Sequence, residues 1–536
     1  MFEELSSASE QLRVALERYL HVCYSIQDIC FQGTIPRNIL PEYGSRVDHE
    51  LSLAESYDTK VQQAKVAIKA TRNHAFSITP INSLPPEILT RIFHMTRDID
   101  PSSVDHLAVV CSRWRLVALG SCSLWSHIDY RPDPYKWFYP KLLARARLHI
   151  FRSGGVPLDV CLAVESEAYN NKCRDNPVES LCKLVAPRMN SLRLELDGLS
   201  WMLTTDRDAS SSVLHTLFST CTPGMLTKLV TKDEERFGFL ATKDDHNFQT
   251  STVHLDLTSP HLNTIFTSIT VLHLTGLFPP WSSHAYRGLV DLRLCAGCIP
   301  DDDAIAEAEL VNILKASPGL RIIHFELGIT EWMRRDDGLP VPRVFLSELE
   351  VLQVSSGTGL SFCRVENFLR LLEPGRKPLH LSIRHHSSAA DTKPHTTETR
   401  AFFMRSNITK LHVTRFPQIF ELLPWLPHLK VMILSDFIRW EQQPSDWYPL
   451  HHQSTTQLDT CYLLTCVLPL DDVLALARCY KPRSLVLFGG GFHRDRPDVK
   501  LQTRVVKKEV SAICSNVKIP KTRPNLEEHR DLFYDH

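Results

Sequence analysis

The chain has 536 residues, 43% of them hydrophobic and 23% charged, enough apolar side chain for a sizeable core and too much for a disordered chain. Lys plus Arg number 60 against 61 Asp plus Glu, a net charge of -1, which gives no general attraction to nucleic acid or anionic lipid. The 15 cysteines are odd in number and scattered through apolar runs such as "PLDVCLAV", the usage of buried free thiols in a reducing compartment.

The acidic start "MFEELSSASE" lacks the apolar core of a signal peptide. No uncharged apolar run approaches the ~20 residues of a membrane span. A cytosolic or nuclear location is the expectation. The first segment, 1–80, reads as helical. Leu12, Leu16, Tyr19, Leu20 and Cys23 recur at helical spacing. After the breakers of "GTIPRNILPEYG", a second helix is expected over about 45–72. Val47, Leu51, Ala54, Val61 and Ile68 fit a heptad, but Asp58 and Lys65 take two seam positions. That favours an amphipathic helix packed on its own chain over a coiled-coil or hairpin arm.

Residues 81–130 form a small helical module. Pro85 and Pro86 suit a first helical turn, where the missing N–H groups cost nothing. Asn82 or Ser83 is placed to cap it, and Glu87 lies near the positive end of its dipole. Ile88, Leu89, Ile92 and Phe93 make its apolar face. Asp105 is expected to open one further helix carrying Leu107, Val110, Cys111, Trp114, Val117 and Ala118, and Leu124 and Trp125 start a third element.

Residues 131–165 read as a proline-punctuated connection, a helix and the strand-like "VPLDVCLAV". Over 166–495 one template recurs, L-x-x-L-x-L with other apolar residues allowed: "ITVLHL", "LVDLRL", "LRIIHF", "LEVLQV", "ITKLHV", "LKVMIL" and "LDTCYL". "SLRLEL", "TVHLDL", "PLHLSI" and "SLVLFG" are looser copies. Successive copies from Leu274 to Leu487 are 20 to 31 residues apart, with helical stretches between them. Leucine-rich repeats run ~20–29 residues, each a strand and a return segment. A doubly wound sheet would need about eleven strands and glycine-rich phosphate loops, so the solenoid fits better. Two polar insertions, near 231–251 and 384–400, are expected as mobile surface loops. Residues 496–536 read as a cap with one helix and a tail.

The sequence offers no catalytic constellation: no G-x-S-x-G elbow, Walker loop or H-E-x-x-H. Gly357 and Gly359 in "SSGTGLS" and the run "FGGGF" read as turns. Cys295 and Cys298 form a C-x-x-C with no second pair at zinc spacing. His385–His386 and His451–His452 read as solvated pairs, Asp301–Asp302–Asp303 as a helix cap, and the sequon at Asn407 carries no implication without a secretory signal.

With chemistry set aside, the module at 81–130 remains. "LPPEILTRIF" and "LAVVCSRWRLVALGSCSLW" resemble the F-box family, whose pattern L-P-x-E-[IL]-L-x-x-I-[FL], a gap, V-C-x-x-W and a closing L-W is filled at every position. The order of F-box then repeats resembles the fungal F-box/leucine-rich-repeat proteins, although the repeat length here is irregular. The resemblance implies an α+β chain: a three-helix F-box, then a leucine-rich-repeat solenoid. It implies a substrate receptor of an SCF-type cullin–RING ubiquitin ligase, itself no enzyme and without cofactor or metal. A Skp-family adaptor would bind Leu84, Pro85, Ile88, Leu89, Ile92, Phe93, Leu107, Val110, Cys111, Trp114, Leu124 and Trp125. Cullin would follow through the adaptor, and a protein substrate, neither nucleic acid nor membrane, would bind the repeats. The alternative is an interaction scaffold of the same architecture without ligase function. A module of ~50 residues is too small to bury all its large side chains, so other surfaces must cover some of them.

Overall fold

Apolar spacing decides which segments of this chain become helix and which become strand. The computed structural model describes residues 2–32, 40–74, 80–131, 139–164, 177–196, 207–233, 238–244, 253–295, 297, 304–330, 343–356, 365–385, 396–416, 419–438, 457–494, 501–522 and 524. They divide into two compact units, Met1–Gly120 and Ser121–His536.

The first unit is helical: α1 (Phe2–Phe31), α2 (Leu40–His74), α3 (Pro86–Ile99), α4 (Ser103–Val110) and α5 (Ser112–Gly120). α1 and α2 touch through Tyr19 and Tyr57, whose rings meet edge to face at 6.3 Å. Tyr19 Oη donates to Glu50 at 3.3 Å, and Cys30 Sγ lies 2.7 Å from Tyr43 Oη. The expectation that the second helix packs into a core of its own chain is not met. Val47, Leu51 and Ile68 stay exposed, and α1 buries no side chain. Asp58 and Lys65 explain this, because burying either without a partner costs more than the neighbouring apolar residues return.

The single helix expected from Asp105 is two. Cys111 is extended (φ −156°, ψ 169°) and breaks the run, and its Sγ accepts from Trp114 N at 3.4 Å. A thiol thus caps α5 where Ser or Asp is usual. The expected cap of α3 is also corrected. Pro85 is the N-cap without a side-chain bond, and Ser83 Oγ donates to Pro80 O at 2.7 Å instead. The double proline alone sets the start.

The second unit mixes helix and strand around one long parallel sheet. Among the described residues it has fourteen strands. They are β1 (His127–Tyr130), β2 (Leu158–Val164), β3 (Met189–Leu196), β4 (Lys228–Lys232), β5 (Val271–Thr275), β6 (Asp291–Cys295) and β7 (Ile322–Phe325). Then follow β8 (Val351–Ser355), β9 (Leu379–Arg384), β10 (Ile408–Thr414), β11 (Val431–Ser435), β12 (Thr460–Leu464), β13 (Ser484–Phe488) and β14 (Val517–Lys518). Each strand pairs only with its predecessor and successor in this series. The order never reverses, and such a reversal defines a doubly wound sheet.

Register turns the sequence template into ladders. Leu229, Leu272, Leu292, Ile323, Leu352, Leu381, Leu411, Met432, Cys461 and Leu485 stand opposite one another across ten consecutive strands, all buried. A second ladder, Leu274, Leu294, Phe325, Val354, Ile383, Val413, Leu434, Leu463 and Leu487, lies two residues on, on the same face. The leading template position, as at Ile269, Leu289, Leu320, Leu349, Leu429 and Leu458, is buried beside them. Return helices such as Glu307–Ala316 and Leu470–Tyr480 cover this face with Leu310, Leu314, Val473 and Leu476, giving one continuous core.

Several expectations change. "TVHLDL" is no member of the long sheet; Val253–His254 joins a three-stranded sheet with Gly238–Ala241 and Leu277–Phe278. The insertion near 231–251 therefore holds a strand, anchored by buried Leu240 and Ala241. Of the stretches between strands expected to be helical, 365–374 holds the short helix Val365–Leu369 and then the strand Leu372–Pro374, and 419–425 the short helix Ile419–Leu422 continued by the 3-10 turn Leu423–Trp425. The C-terminal cap adds β14 to its helix Thr503–Ser511. Asp301–Asp303, Gly357, Gly359, His386, His451–His452, Cys298 and most of the 384–400 insertion lie outside the described residues.

Leu411 is fully buried in the first ladder between β9 and β11. Leu411→Ala should cost about 2–5 kcal/mol of sheet-unit stability, read as a lower denaturant midpoint. His324 on β7 is held down to about 3 by burial, with repulsion from Arg293 adding to it. Unfolded histidines protonate near pH 6.5, so below that pH the unfolded chain binds more protons and stability falls as pH drops toward 3. The melting temperature of His324→Gln should fall less between pH 7 and pH 4 than that of the wild-type chain, a comparison made by thermal denaturation across that range.

Candidate functional site

α3 carries two apolar stripes. Leu89 and Phe93 are fully buried, and with Val104, Ala108 and Ala118 they form the small core of α3–α5. The Phe93 and Trp114 rings meet at 5.0 Å. Arg113 Nη2 donates to Leu84 O at 2.7 Å and ties α5 to the chain entering α3. At the far end Asp100 accepts from Ser102 N at 2.9 Å and turns the chain into α4.

The other stripe faces out. Ile88 is 44% exposed, Met95 61% and Ile99 87%, with half-buried Ile92 between them. Positions 88, 92, 95 and 99 share one face of a helix. Val109 and Val110 on α4 and Leu116 on α5 are exposed as well. Apolar side chains this dense on so short a module are what an interaction surface leaves uncovered.

The twelve residues singled out from the sequence therefore divide. Leu89 and Phe93 are internal. Leu84, Ile92, Leu107, Cys111 and Trp114 are half-buried, while Pro85, Ile88 and Val110 are exposed. Leu124 and Trp125 are buried in the second unit. There Trp125 packs edge to face on His149 at 5.0 Å, with the Arg152 guanidinium 4.3 Å over its ring. Met95, Ile99, Val109 and Leu116 were missed. The signal was present, since Met95 and Ile99 extend the i, i+4, i+7 series begun at Ile88.

The sheet face opposite the core is mostly buried too, with only His273, Arg293 and Tyr462 of its middle row partly exposed. Its register row reads His273, Arg293, His324, Gln353, Ser382, His412, Ile433, Tyr462 and Val486, polar at first and apolar at its end. Asp291 joins His273 at 2.9 Å and Arg293 at 3.0 Å. Burial alone would raise the Asp291 carboxyl, but hydrogen bonds from His273 and Arg293 outweigh it and hold the group at about 2. His412 bridges Ser382 and Ser435 at 3.1 Å each. Ile433 and Leu464 form a separate apolar cluster with Val431, Tyr462 and Phe488. Among the described residues, no group of three or more His, Cys, Asp or Glu could hold a metal ion.

The division of α3 into two stripes is checked by substitution. Phe93→Ala should cost about 3–5 kcal/mol and open 86–120 to native-state proteolysis, whereas Ile88→Ala should leave that segment as resistant as before.

Residues 81–131 match the family model described as F-box-like. The match runs across the boundary between the two units, taking in α3–α5 and then the buried Leu124–Trp125 pair. Among curated proteins no sequence matches the chain. F-box domains typically bind Skp-type adaptors, and F-box proteins are generally non-catalytic subunits. The F-box-like domain at 81–131 thus points to an adaptor-binding subunit of SCF-type complexes.

Proposed function

We propose that this chain is the substrate-recognition subunit of an SCF-type cullin–RING ubiquitin ligase, acting in the cytosol or nucleus. A Skp-family adaptor docks on α3–α5, and cullin is reached through it. The observation that carries this reading is the uncovered stripe Ile88–Ile92–Met95–Ile99 within the F-box-like match. Covering each large apolar side chain contributes roughly 1.5–3 kcal/mol, so three or four suffice for a stable interface after association costs. Pro85, Val110 and Leu116 extend the surface, with Leu84 at its edge. Leu89, Phe93 and Trp114 hold the helices that present it.

The second unit is a leucine-rich-repeat array of the fungal F-box type that holds the protein substrate. Strands that recur from β5 to β13 every 20 to 31 residues, each followed by a return segment, support this. So does the row from His273 to Val486, where the partly exposed His273, Arg293 and Tyr462 offer charge and hydrogen bonding along one face. The chain performs no bond chemistry. Its contribution is proximity, raising the local concentration of substrate lysines near the charged conjugating enzyme.

Ile88→Asp/Ile99→Asp should abolish co-purification with the Skp-family adaptor while leaving the thermal transition of the sheet unit in place. Retained adaptor binding would remove the assignment. Adaptor binding without assembly of cullin would make the chain a scaffold rather than a receptor.

A further inference from the structure

The hairpin of α1 and α2 has no part in the function described so far. Its helices are 30 and 35 residues long. They touch through Tyr19 with Glu50 and Tyr57 and through Cys30 with Tyr43, pairings that run in opposite chain directions, so the hairpin is antiparallel. Two helices cover only part of each other's stripe. Leu12, Leu16 and Leu20 on α1 and Val47, Val61 and Ile68 on α2 all remain exposed. On α2, positions 43, 47, 50, 54, 57, 61, 64 and 68 keep a heptad seam of Tyr, Val, Glu, Ala, Tyr, Val, Ala and Ile, of which Tyr43, Glu50 and Tyr57 meet α1.

The charge on α2 says what covers this face. Its first half carries Glu42, Asp48, Glu50, Glu55 and Asp58 against Arg46 alone; its second half carries Lys60, Lys65, Lys69 and Arg72 with no acid. The matching half of α1 carries Glu3, Glu4, Glu10 and Glu17 against Arg13 beside the basic half of α2, but only Arg18 and Asp28 beside the acidic half. The acidic end of the hairpin is therefore uncompensated within one chain. A second α2 laid antiparallel places acid against base twice, related by one twofold axis, and closes the apolar faces into a four-helix bundle. A parallel copy would set acid against acid.

We propose that the chain self-associates through an antiparallel pairing of its α1–α2 hairpins, with α2 against α2 of a second copy. The proposal is independent of the adaptor reading. Light scattering and sedimentation velocity on the full chain, from nanomolar to tens of micromolar, test it. Two variants are compared with the wild type: K60E/K65E/K69E, acidic along α2, and D48K/E55K/D58K, basic along α2. The wild type should be a dimer. Each variant alone should dissociate at least about tenfold more readily, and an equimolar mixture should recover a heterodimer. Far-UV circular dichroism shows whether helix content is kept. A monomeric wild type would assign the face to a partner of another kind and overturn the proposal. So would variants that dimerise as the wild type does, or helical variants that fail to recombine.

Discussion

Every part of the second unit depends on one constraint: in a parallel sheet each strand needs a return segment, and that segment must cover the face it crosses. The ladder from Leu229 to Leu485 satisfies it by putting an apolar side chain at the same height on ten successive strands. Return helices such as Glu307–Ala316 and Leu470–Tyr480 pass over that face and the core is continuous, while the other face holds polar and apolar residues of individual character. The row on that second face is mixed in character but packed as well, with His324, Gln353, Ser382, His412, Ile433 and Val486 buried. His273, Arg293 and His324 sit side by side there, while the ladder positions beside them are Leu, Leu and Ile.

The first unit answers a different constraint. Three short helices cannot enclose every large side chain they carry. α3 responds by splitting its apolar residues between an inner stripe, Leu89 and Phe93, and an outer one, Ile88, Met95 and Ile99. The inner stripe fixes the geometry of the outer one, and the double proline at its start fixes where the helix begins. Under the proposed function this uncovered stripe is what the adaptor covers, and the F-box-like match spans the same residues. In α1 and α2 the balance tips further, because the hairpin has exposed apolar residues and no core of its own.

Much of this was legible in the sequence. The L-x-x-L-x-L copies fall on strands because alternation at period two, repeated with a helical stretch between, has few other solutions. "TVHLDL" misled because alternation reports a half-buried strand without saying which sheet it joins. β4 and the strand Gly238–Ala241 escaped notice because Lys228, Lys232 and the surrounding charges masked a short apolar core. The module at 81–130 was visible as a motif, but motif positions do not distinguish inside from outside. Leu89 and Ile88 are adjacent and equally apolar, and only the packing of α4 and α5 decides which is buried. The break at Cys111 had no local warning, since neither glycine nor proline marks it.

The claim on which the functional reading turns is that the outward stripe of α3, with Val110 and Leu116, is a docking surface for a Skp-family adaptor. Hydrogen–deuterium exchange of the full chain with and without that adaptor addresses it directly. The account predicts that adaptor raises protection across Pro86–Gly120 and leaves the strands from His127 to Lys518 unchanged. Protection confined to the sheet, or none at all in the presence of saturating adaptor, would contradict it.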